Sequence, residues 1–67
     1  MKKVCVLLAE GFEEVEALTV SDIMRRAKVT CDLVSMKDKK VNSSHNVTLE
    51  ADKIFDESME YDLVVLP

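Results

Sequence analysis

Three largely apolar runs are separated by polar segments along the chain, at residues 4–9, 29–35 and 62–66, and the first of them is continuous. Runs of this kind are typical of parallel strands whose two faces are both buried. The second run is also rich in β-branched residues, which favour strands. The pattern therefore predicts three parallel strands of one sheet.

The first two runs are joined by a segment that predicts an amphipathic helix over residues 13–27. Its apolar stripe at helical spacing consists of Ala17, Val20, Ile23, Met24 and Ala27. Glu13 and Glu14 suit the positive N-terminal end of a helix. Glu16, in contrast, lies inside the apolar stripe, which predicts that its carboxyl group faces the core between helix and sheet.

The chain between the second and third runs is less regular. Residues 41–49 predict an antiparallel excursion with its bend at residues 42–45, and residues 52–60 are compatible with a short helix. The order β-α-β-(β excursion)-β indicates an α/β fold with a doubly wound, mainly parallel sheet. A right-handed crossover places the helix on one face of the sheet, so the other face is expected to lack a cover.

A sheet that is buried on both faces needs more helices than these residues supply. The 67 residues are also few for a stable core, since domains of this size often need a disulfide or a metal. We therefore interpret residues 1–67 as the N-terminal part of a single larger domain. A missing C-terminal segment or a companion polypeptide is expected to complete it.

Composition and charge exclude several other classes of protein. The chain is 48% hydrophobic and 33% charged, as globular domains are, and its formal net charge is −4 with scattered basic residues. This balance argues against a nucleic-acid surface, and no apolar run is long enough to span a membrane. Cys5 and Cys31 lie within apolar runs and lack zinc-site spacing, which predicts reduced core thiols in the cytoplasm and no metal site.

Burial would disfavour the charged form of the Glu16 carboxyl group and raise its pKa. A protonated carboxyl can donate a proton, or a hydrogen bond to a thiolate, which makes Glu16 the candidate catalytic residue. The alternative is that Glu16 lies at the rim of the first helical turn and reaches solvent. Glu13 on the same helix, His45 in the polar bend and the single glycine, Gly11, are candidates for the same pocket.

Neither cysteine is an attractive nucleophile, because each lies in a predicted strand without an adjacent base or helix N-terminus to lower its pKa. The sequence also has no glycine-rich phosphate loop and no serine elbow. Val15 and Leu18 lie toward the opposite side of the predicted helix, where they are candidates for contact with another chain. The residues alone therefore point to one carboxyl group whose chemical partner is missing.

Three stretches of the sequence resemble the ThiJ/PfpI family. Residues 9–16, AEGFEEVE, resemble its signature A-x-G-x-E-E-x-E, residues 21–27 resemble the end of its first helix, and residues 61–67 resemble the strand that runs into Gly-Gly. The resemblance covers essentially the whole chain. It implies a flavodoxin-like fold, of which this chain is the N-terminal part, and a homodimer. The residues expected at the dimer contact are Val15, Leu18 and Arg25.

The resemblance also implies a chemistry. Members use a low-pKa Cys on a strand–turn–helix elbow, and a protonated Glu that corresponds to Glu16 hydrogen-bonds that Cys. Activities ascribed to the family are deglycation, glyoxalase conversion of 2-oxoaldehydes to 2-hydroxy acids, oxidative-stress sensing, chaperone action and, in PfpI-like members, proteolysis. The complete protein is therefore expected to be a Cys-dependent enzyme or sensor for a small carbonyl or glycated substrate, without a cofactor.

The chain departs from the family pattern in ways that limit this interpretation. The elbow Cys would lie beyond Pro67, so this chain alone is not expected to be catalytic. His45 stands where close relatives of the deglycase often carry Arg, and Ser43 stands near a loop Cys of some members. The alternatives are a non-catalytic chaperone or dimeric interaction subunit and, further from the pattern, a phosphoacceptor receiver domain, in which Pro67 would occupy the acceptor position.

Overall fold

The structure is a computed structural model that describes residues 2–67. Within that range the elements, in chain order, are β1 (Lys3–Leu8), α1 (Glu14–Arg26), β2 (Thr30–Ser35), β3 (Lys40–Asn42), β4 (Thr48–Glu50), β5 (Lys53–Ile54) and β6 (Leu63–Val65). A four-stranded parallel sheet has the order β5-β2-β1-β6, and β3 and β4 form a separate antiparallel pair. The predicted parallel sheet, first helix and antiparallel excursion are therefore confirmed.

The central strand of the sheet is β1, which pairs with β2 along its whole length and with β6 at residues 4–6. Its alternate side chains Val4, Val6 and Leu8 are at most 4% exposed and join one core with Ala17 of α1. A strand that has a neighbouring strand on both edges and is covered on its faces has a continuous apolar sequence. This arrangement explains the first apolar run of the sequence.

The buried face of α1 differs from the predicted apolar stripe. The buried residues of the helix are Ala17 and Ser21, whereas Ile23 is 57% exposed and Ala27 is exposed. The Ser21 hydroxyl donates to the carbonyl oxygen of Leu18 at 3.0 Å, so it is buried without losing a hydrogen bond. The prediction that Ile23 and Ala27 face the core is therefore wrong, because hydrophobicity alone does not identify a satisfied serine.

The second face of the sheet carries a cover that the sequence analysis did not expect. Residues 55–62 connect the two outer strands, and the Tyr61 hydroxyl donates to Asp32 Oδ2 at 2.8 Å. Cys5 lies on this face, beside Asp32 in the β1–β2 register, and is 4% exposed. The ammonium group of Lys53 lies 3.2 Å from Asp32 Oδ2. The prediction of an uncovered face is therefore wrong for this part of the sheet.

Residues 52–60 form the short strand β5 and a turn, and the helix considered for them does not form. Asp56 closes the turn, since its carbonyl oxygen accepts from Met59 N and its Oδ1 accepts from Ser58 N, both at 2.9 Å. The connection must cross the width of the sheet in few residues. An extended chain rises about 3.3 Å per residue against about 1.5 Å for a helix, so a helix would be too short.

The third predicted strand forms, but it is less buried than expected. Leu63, Val64 and Leu66 are 49%, 51% and 74% exposed. Within residues 2–67, β6 pairs only with β1, so it is an edge strand whose other edge has no partner there. The prediction of a strand buried on both faces is wrong for these residues.

The outer edge of β2 is completed by side chains where its strand partner ends, because β5 reaches only residues 34–35. Arg25 donates to the carbonyl oxygen of Cys31 from Nε and Nη2, at 3.1 and 2.9 Å. Asp52 Oδ2 accepts from Leu33 N at 2.8 Å and from Arg25 at 2.7 Å. Arg25, which the sequence analysis placed at a dimer contact, thus ties α1 to the sheet.

In residues 2–67 no helix has both the length and the apolar character that a membrane crossing requires.

Candidate functional site

The turn between β1 and α1 depends on Gly11, which has a φ of +85°. No atom lies within 4 Å of the position a Cβ would take, so the constraint on this residue is its backbone conformation. The Gly11 N–H donates to the carbonyl oxygen of Asn42 at 2.9 Å, and Phe12 N–H donates to Ala9 O at 3.0 Å. The Phe12 side chain is 3% exposed and belongs to the core. The turn is thereby fixed to both the core and the β3–β4 hairpin.

The tip of the β3–β4 hairpin lies beside the start of α1. Ser43 forms a parallel bridge with Phe12, and Ser44 N–H donates to Phe12 O at 2.8 Å. The Asn42 N–H donates to the carboxylate of Glu10 at 3.2 Å. These backbone contacts bring the polar bend next to the acidic helix N-terminus, although the two are distant in the sequence.

Glu14 is the acid of the first helical turn that makes the most contacts. It accepts hydrogen bonds from the Ser43 hydroxyl, from His45 Nδ1 at 2.8 Å and from His45 N at 3.4 Å. Its side chain is 13% exposed, whereas that of His45 is 71% exposed. The hydrogen bond from Ser43, helped by those from His45, lowers the pKa of Glu14. The hydrogen bond and charge of Glu14 raise the pKa of His45.

Glu13 lies in the same cluster and accepts a hydrogen bond from the Ser44 hydroxyl at 2.5 Å. One ligand atom from each of Glu13, Glu14 and His45 lies within 4.8 Å of the others, so these side chains could hold a cation. All three groups already have protein partners, and exposed acidic groups of this kind are common without an ion. The sequence predicts no metal site, and this grouping has no local sequence signal because 31 residues separate Glu14 from His45.

Glu16 is exposed on α1 and does not face the core within residues 2–67. The prediction that the helix–sheet core of these residues buries its carboxyl group is therefore wrong. Within residues 2–67, Glu16 instead lies at the rim of the first helical turn and reaches solvent, as the alternative prediction has it. The reason is the phase of the helix, in which Ala17 and Ser21 face the sheet. Its expected hydrogen bond to a Cys outside this chain stays a prediction.

The other predicted site residues divide between two surfaces. Gly11, Glu13 and His45 are brought together at the contact between hairpin and helix. Val15 and Leu18 are 67% and 43% exposed and lie outside that contact. Their role in a dimer stays a prediction, as does that of Arg25.

The two cysteines of the chain are buried core thiols. Burial, followed by the charge of Asp32, raises the pKa of the Cys5 thiol. Burial also raises the pKa of the Cys31 thiol, although the charge of Arg25 opposes this. A buried thiol with a raised pKa holds little thiolate near neutral pH and is a poor nucleophile.

The contact between Glu14 and His45 is expected to make stability depend on pH. The raised His45 pKa contributes stability below its unfolded value near 6.5, which is lost as the pH rises through the folded pKa. The lowered Glu14 pKa contributes stability above its unfolded value near 4.5, which is lost as the pH falls through the folded pKa. The pair should therefore stabilise the chain most between pH 4.5 and 6.5.

This expectation is tested by comparing the urea unfolding midpoints of the wild type and His45→Gln over the acidic and neutral range. The difference should be largest in that window and shrink on either side. In NMR titration, Glu14→Gln should return the pKa of His45 toward its ordinary value. A wild-type His45 that titrates at or below 6.5 would contradict the proposed coupling.

Comparison with protein families gives a match that covers nearly the whole chain. The model of the DJ-1/PfpI family matches residues 2–67. Protein DJ-1 homolog B of Arabidopsis thaliana is 37% identical over 68 residues, which are 97% of this chain and 16% of that protein. Protein DJ-1alpha of Drosophila melanogaster is 33% identical over 70 residues, 98% of this chain and 32% of that protein. The chain thus spans less than a third of the length of these relatives.

Solved structures give the same result. A DJ-1 superfamily protein from Salmonella typhimurium, solved as a Cys-to-Ala mutant, superposes with a TM-score of 0.93 at 41% identity over 100% of this chain and 38% of that one. The oxidized DJ-1 of Toxoplasma gondii superposes with a TM-score of 0.89 at 33% identity. The match covers 96% of this chain and 36% of that one. These neighbours confirm the flavodoxin-like α/β class.

Proposed function

The chain belongs to the DJ-1/PfpI family, and on that premise we propose that it is part of a cytoplasmic Cys-dependent protein. The proposed activity is that of a deglycase- or glyoxalase-like enzyme, or of an oxidative-stress sensor, acting on a small carbonyl or glycated substrate without a cofactor. The nucleophilic Cys is supplied from outside residues 1–67, by a C-terminal segment or a companion polypeptide. Both thiols in the chain are buried, which supports this division.

The observation that carries the proposal is the position of Glu16. It lies in the first turn of α1, which follows the carboxyl end of the central strand β1. The neighbours of β1 are β2 on one side and β6 on the other, so the chain leaves β1 at the point where the strand order reverses. Ligands of open α/β sheets bind in the crevice at that point.

The chemical role of Glu16 follows from its free carboxyl group. It is exposed, and within residues 2–67 no hydrogen bond engages it, so the carboxyl group is free to contact a group beyond this chain. A carboxyl group that becomes buried when the domain is completed would favour its protonated form. It would then donate a hydrogen bond to the Cys thiolate or to its oxidised form. Two structural neighbours, one solved as a Cys-to-Ala mutant and one in an oxidized form, support the proposal of Cys chemistry.

The proposal is tested by Glu16→Ala and Glu16→Gln in the complete protein. Glu16→Ala should raise the pKa of the nucleophilic thiol and lower turnover by about 100-fold, the lower range for a positioned proton donor. Glu16→Gln, whose amide can still donate a hydrogen bond, should recover part of the loss. The measurements are the pH dependence of the iodoacetamide reaction and the rate of methylglyoxal consumption.

The matched control is Glu57→Gln, because Glu57 is exposed and lies in the connection before β6. In the Glu57→Gln variant, the pKa of the nucleophilic thiol and the turnover should equal those of the wild type. If both Glu16 variants also keep the wild-type thiol pKa and turnover, Glu16 does not act on the nucleophile.

A dimeric role, with or without catalysis, is the second candidate function, and the exposed residues Val15 and Leu18 favour it. We propose that these side chains contact a second copy of the protein. Leu18→Glu should place a charge in the contact and reduce the mass in solution to that of one copy, measured by light scattering. Ile23→Glu on the same helix is the control, since Ile23 is also exposed. An unchanged mass in Leu18→Glu would count against this contact.

A further inference from the structure

A cavity of about 190 Å³ lies at the carboxyl ends of β1 and β2, beside β3. Neither Glu16 nor His45 belongs to its lining, so it is separate from the site described above. At about 30 Å³ per water molecule, this volume corresponds to about six waters, and therefore to an organic molecule of about six non-hydrogen atoms.

The wall of this cavity is largely apolar. Leu8 and Val41 form its buried part, at most 4% exposed, and Ala9 and Met36 are exposed lining residues. A ligand gains about 25 cal/mol for each Å² of apolar surface that such a wall removes from water. The wall therefore favours a ligand with an apolar body.

One buried polar group lies in this wall. Ser35 is 2% exposed, and its Oγ accepts a hydrogen bond from Lys37 N at 3.2 Å. Within residues 2–67 its hydroxyl donates to no acceptor, so the hydroxyl hydrogen is available. A buried hydroxyl that has not donated its hydrogen gains free energy from an acceptor oxygen on a ligand.

The charged residues of the lining cancel one another. They are Lys37 and Lys40 against Glu10 and Asp38, two positive and two negative side chains. An ion that enters an apolar cavity loses its hydration, and here no net charge of the lining replaces it. The lining therefore favours an uncharged ligand.

We propose that this cavity binds a small uncharged carbonyl compound with an apolar body of about five carbon atoms. The carbonyl oxygen accepts from the Ser35 hydroxyl, and the apolar body contacts Leu8 and Val41. This site does not depend on the nucleophilic Cys or on Glu16. Cyclopentanone is the probe, because it is a ketone of this size without a charge.

The test is an NMR titration of the complete protein with cyclopentanone, observed at the backbone amides. Shifts should concentrate at residues 8–10 and 35–41. Cyclopentylammonium and cyclopentanecarboxylate keep the ring and carry opposite charges. Each should bind at least about fivefold weaker than cyclopentanone, because its lost hydration is not replaced. If either ion binds as tightly as the ketone, or the shifts lie outside these residues, the proposal is overturned.

Variants then test the hydrogen bond and the role of charge. Ser35→Ala should weaken cyclopentanone binding about fivefold through the lost hydrogen bond. Ser58→Ala is the matched control, since Ser58 is exposed and lies outside the lining, and it should bind as the wild type does. Lys37→Gln combined with Lys40→Gln should change the affinity less than about twofold, because the ligand carries no charge for these exposed lysines to pair with.

Two results from the variants would contradict the proposal. One is undiminished binding in Ser35→Ala, and the other is a loss in the double lysine variant as large as that expected for Ser35→Ala. The comparison of the three ligands uses the wild type, so it decides the charge of the ligand even if Ser35→Ala does not fold.

Discussion

Replacing Phe12 by alanine is expected to remove a large part of the stability of the chain. Phe12 is 3% exposed, and removing a buried Phe side chain costs about 3–5 kcal/mol. A domain with 67 residues has a total stability of about 3–10 kcal/mol at the usual value per residue. The loss therefore amounts to between about a third and the whole of the free energy of unfolding.

Phe12 also has a role in the site, because its backbone joins the turn after β1 to Ser43 and Ser44 of the hairpin tip. The measurement is urea unfolding followed by far-UV circular dichroism. Phe55→Ala is the matched control, since Phe55 is 44% exposed and should lose less than about 1 kcal/mol. Equal unfolding midpoints for the two variants would show that Phe12 does not anchor this core.

A second large loss of the free energy of unfolding is expected for Asp52→Ala. Asp52 Oδ2 accepts from Leu33 N on the open edge of β2 and from the Arg25 guanidinium of α1. Leu33 is 8% exposed, so its N–H would be left without a partner, at a cost of about 1–3 kcal/mol. The ion pair itself adds little, because both side chains are about half exposed and water screens their charges.

The same unfolding measurement separates these two contributions. Asp52→Asn keeps an oxygen that can accept from Leu33 N while losing the charge, so it should be less destabilised than Asp52→Ala. Asp22→Ala is the control for a surface pair, since Asp22 forms an ion pair with Arg26 four residues away, and it should lose about 0.3–0.5 kcal/mol. If Asp52→Ala is no less stable than Asp22→Ala, the edge of β2 does not need this carboxylate.

The parts of the fold that depend on local pattern could be predicted from the sequence. The continuous apolar run identified β1, because parallel strands with two covered faces leave no polar alternation. The β-branched residues of segment 29–35 identified β2. The segment after Gly11 identified the helix to within one residue at each end. The polar bend at residues 42–45 identified the hairpin, although it could not show what the bend contacts.

The parts that failed depend on how distant segments meet. Hydrophobic spacing placed Glu16 toward the core, but the buried Ser21 shows that the helix packs in a different phase. The partnership of Glu14 with His45 joins residues that are 31 positions apart. Arg25 and Asp52 form a contact across 27 positions at a strand edge that no local pattern reveals. Each of these contacts is decided by tertiary packing, which outweighs local preference.

The pairing of β1 with β6 has a consequence for the order in which the chain folds. Lys3 and Asp62 contact each other through both backbone and side chain, although they are 59 positions apart. β1 is synthesised before β6 and therefore waits for residues 63–65 before its second edge is paired. Closing a loop of this length carries a large entropic cost, and contacts between distant segments slow folding. Until then the backbone N–H and C=O groups on that edge of β1 have no strand partner in a nascent chain.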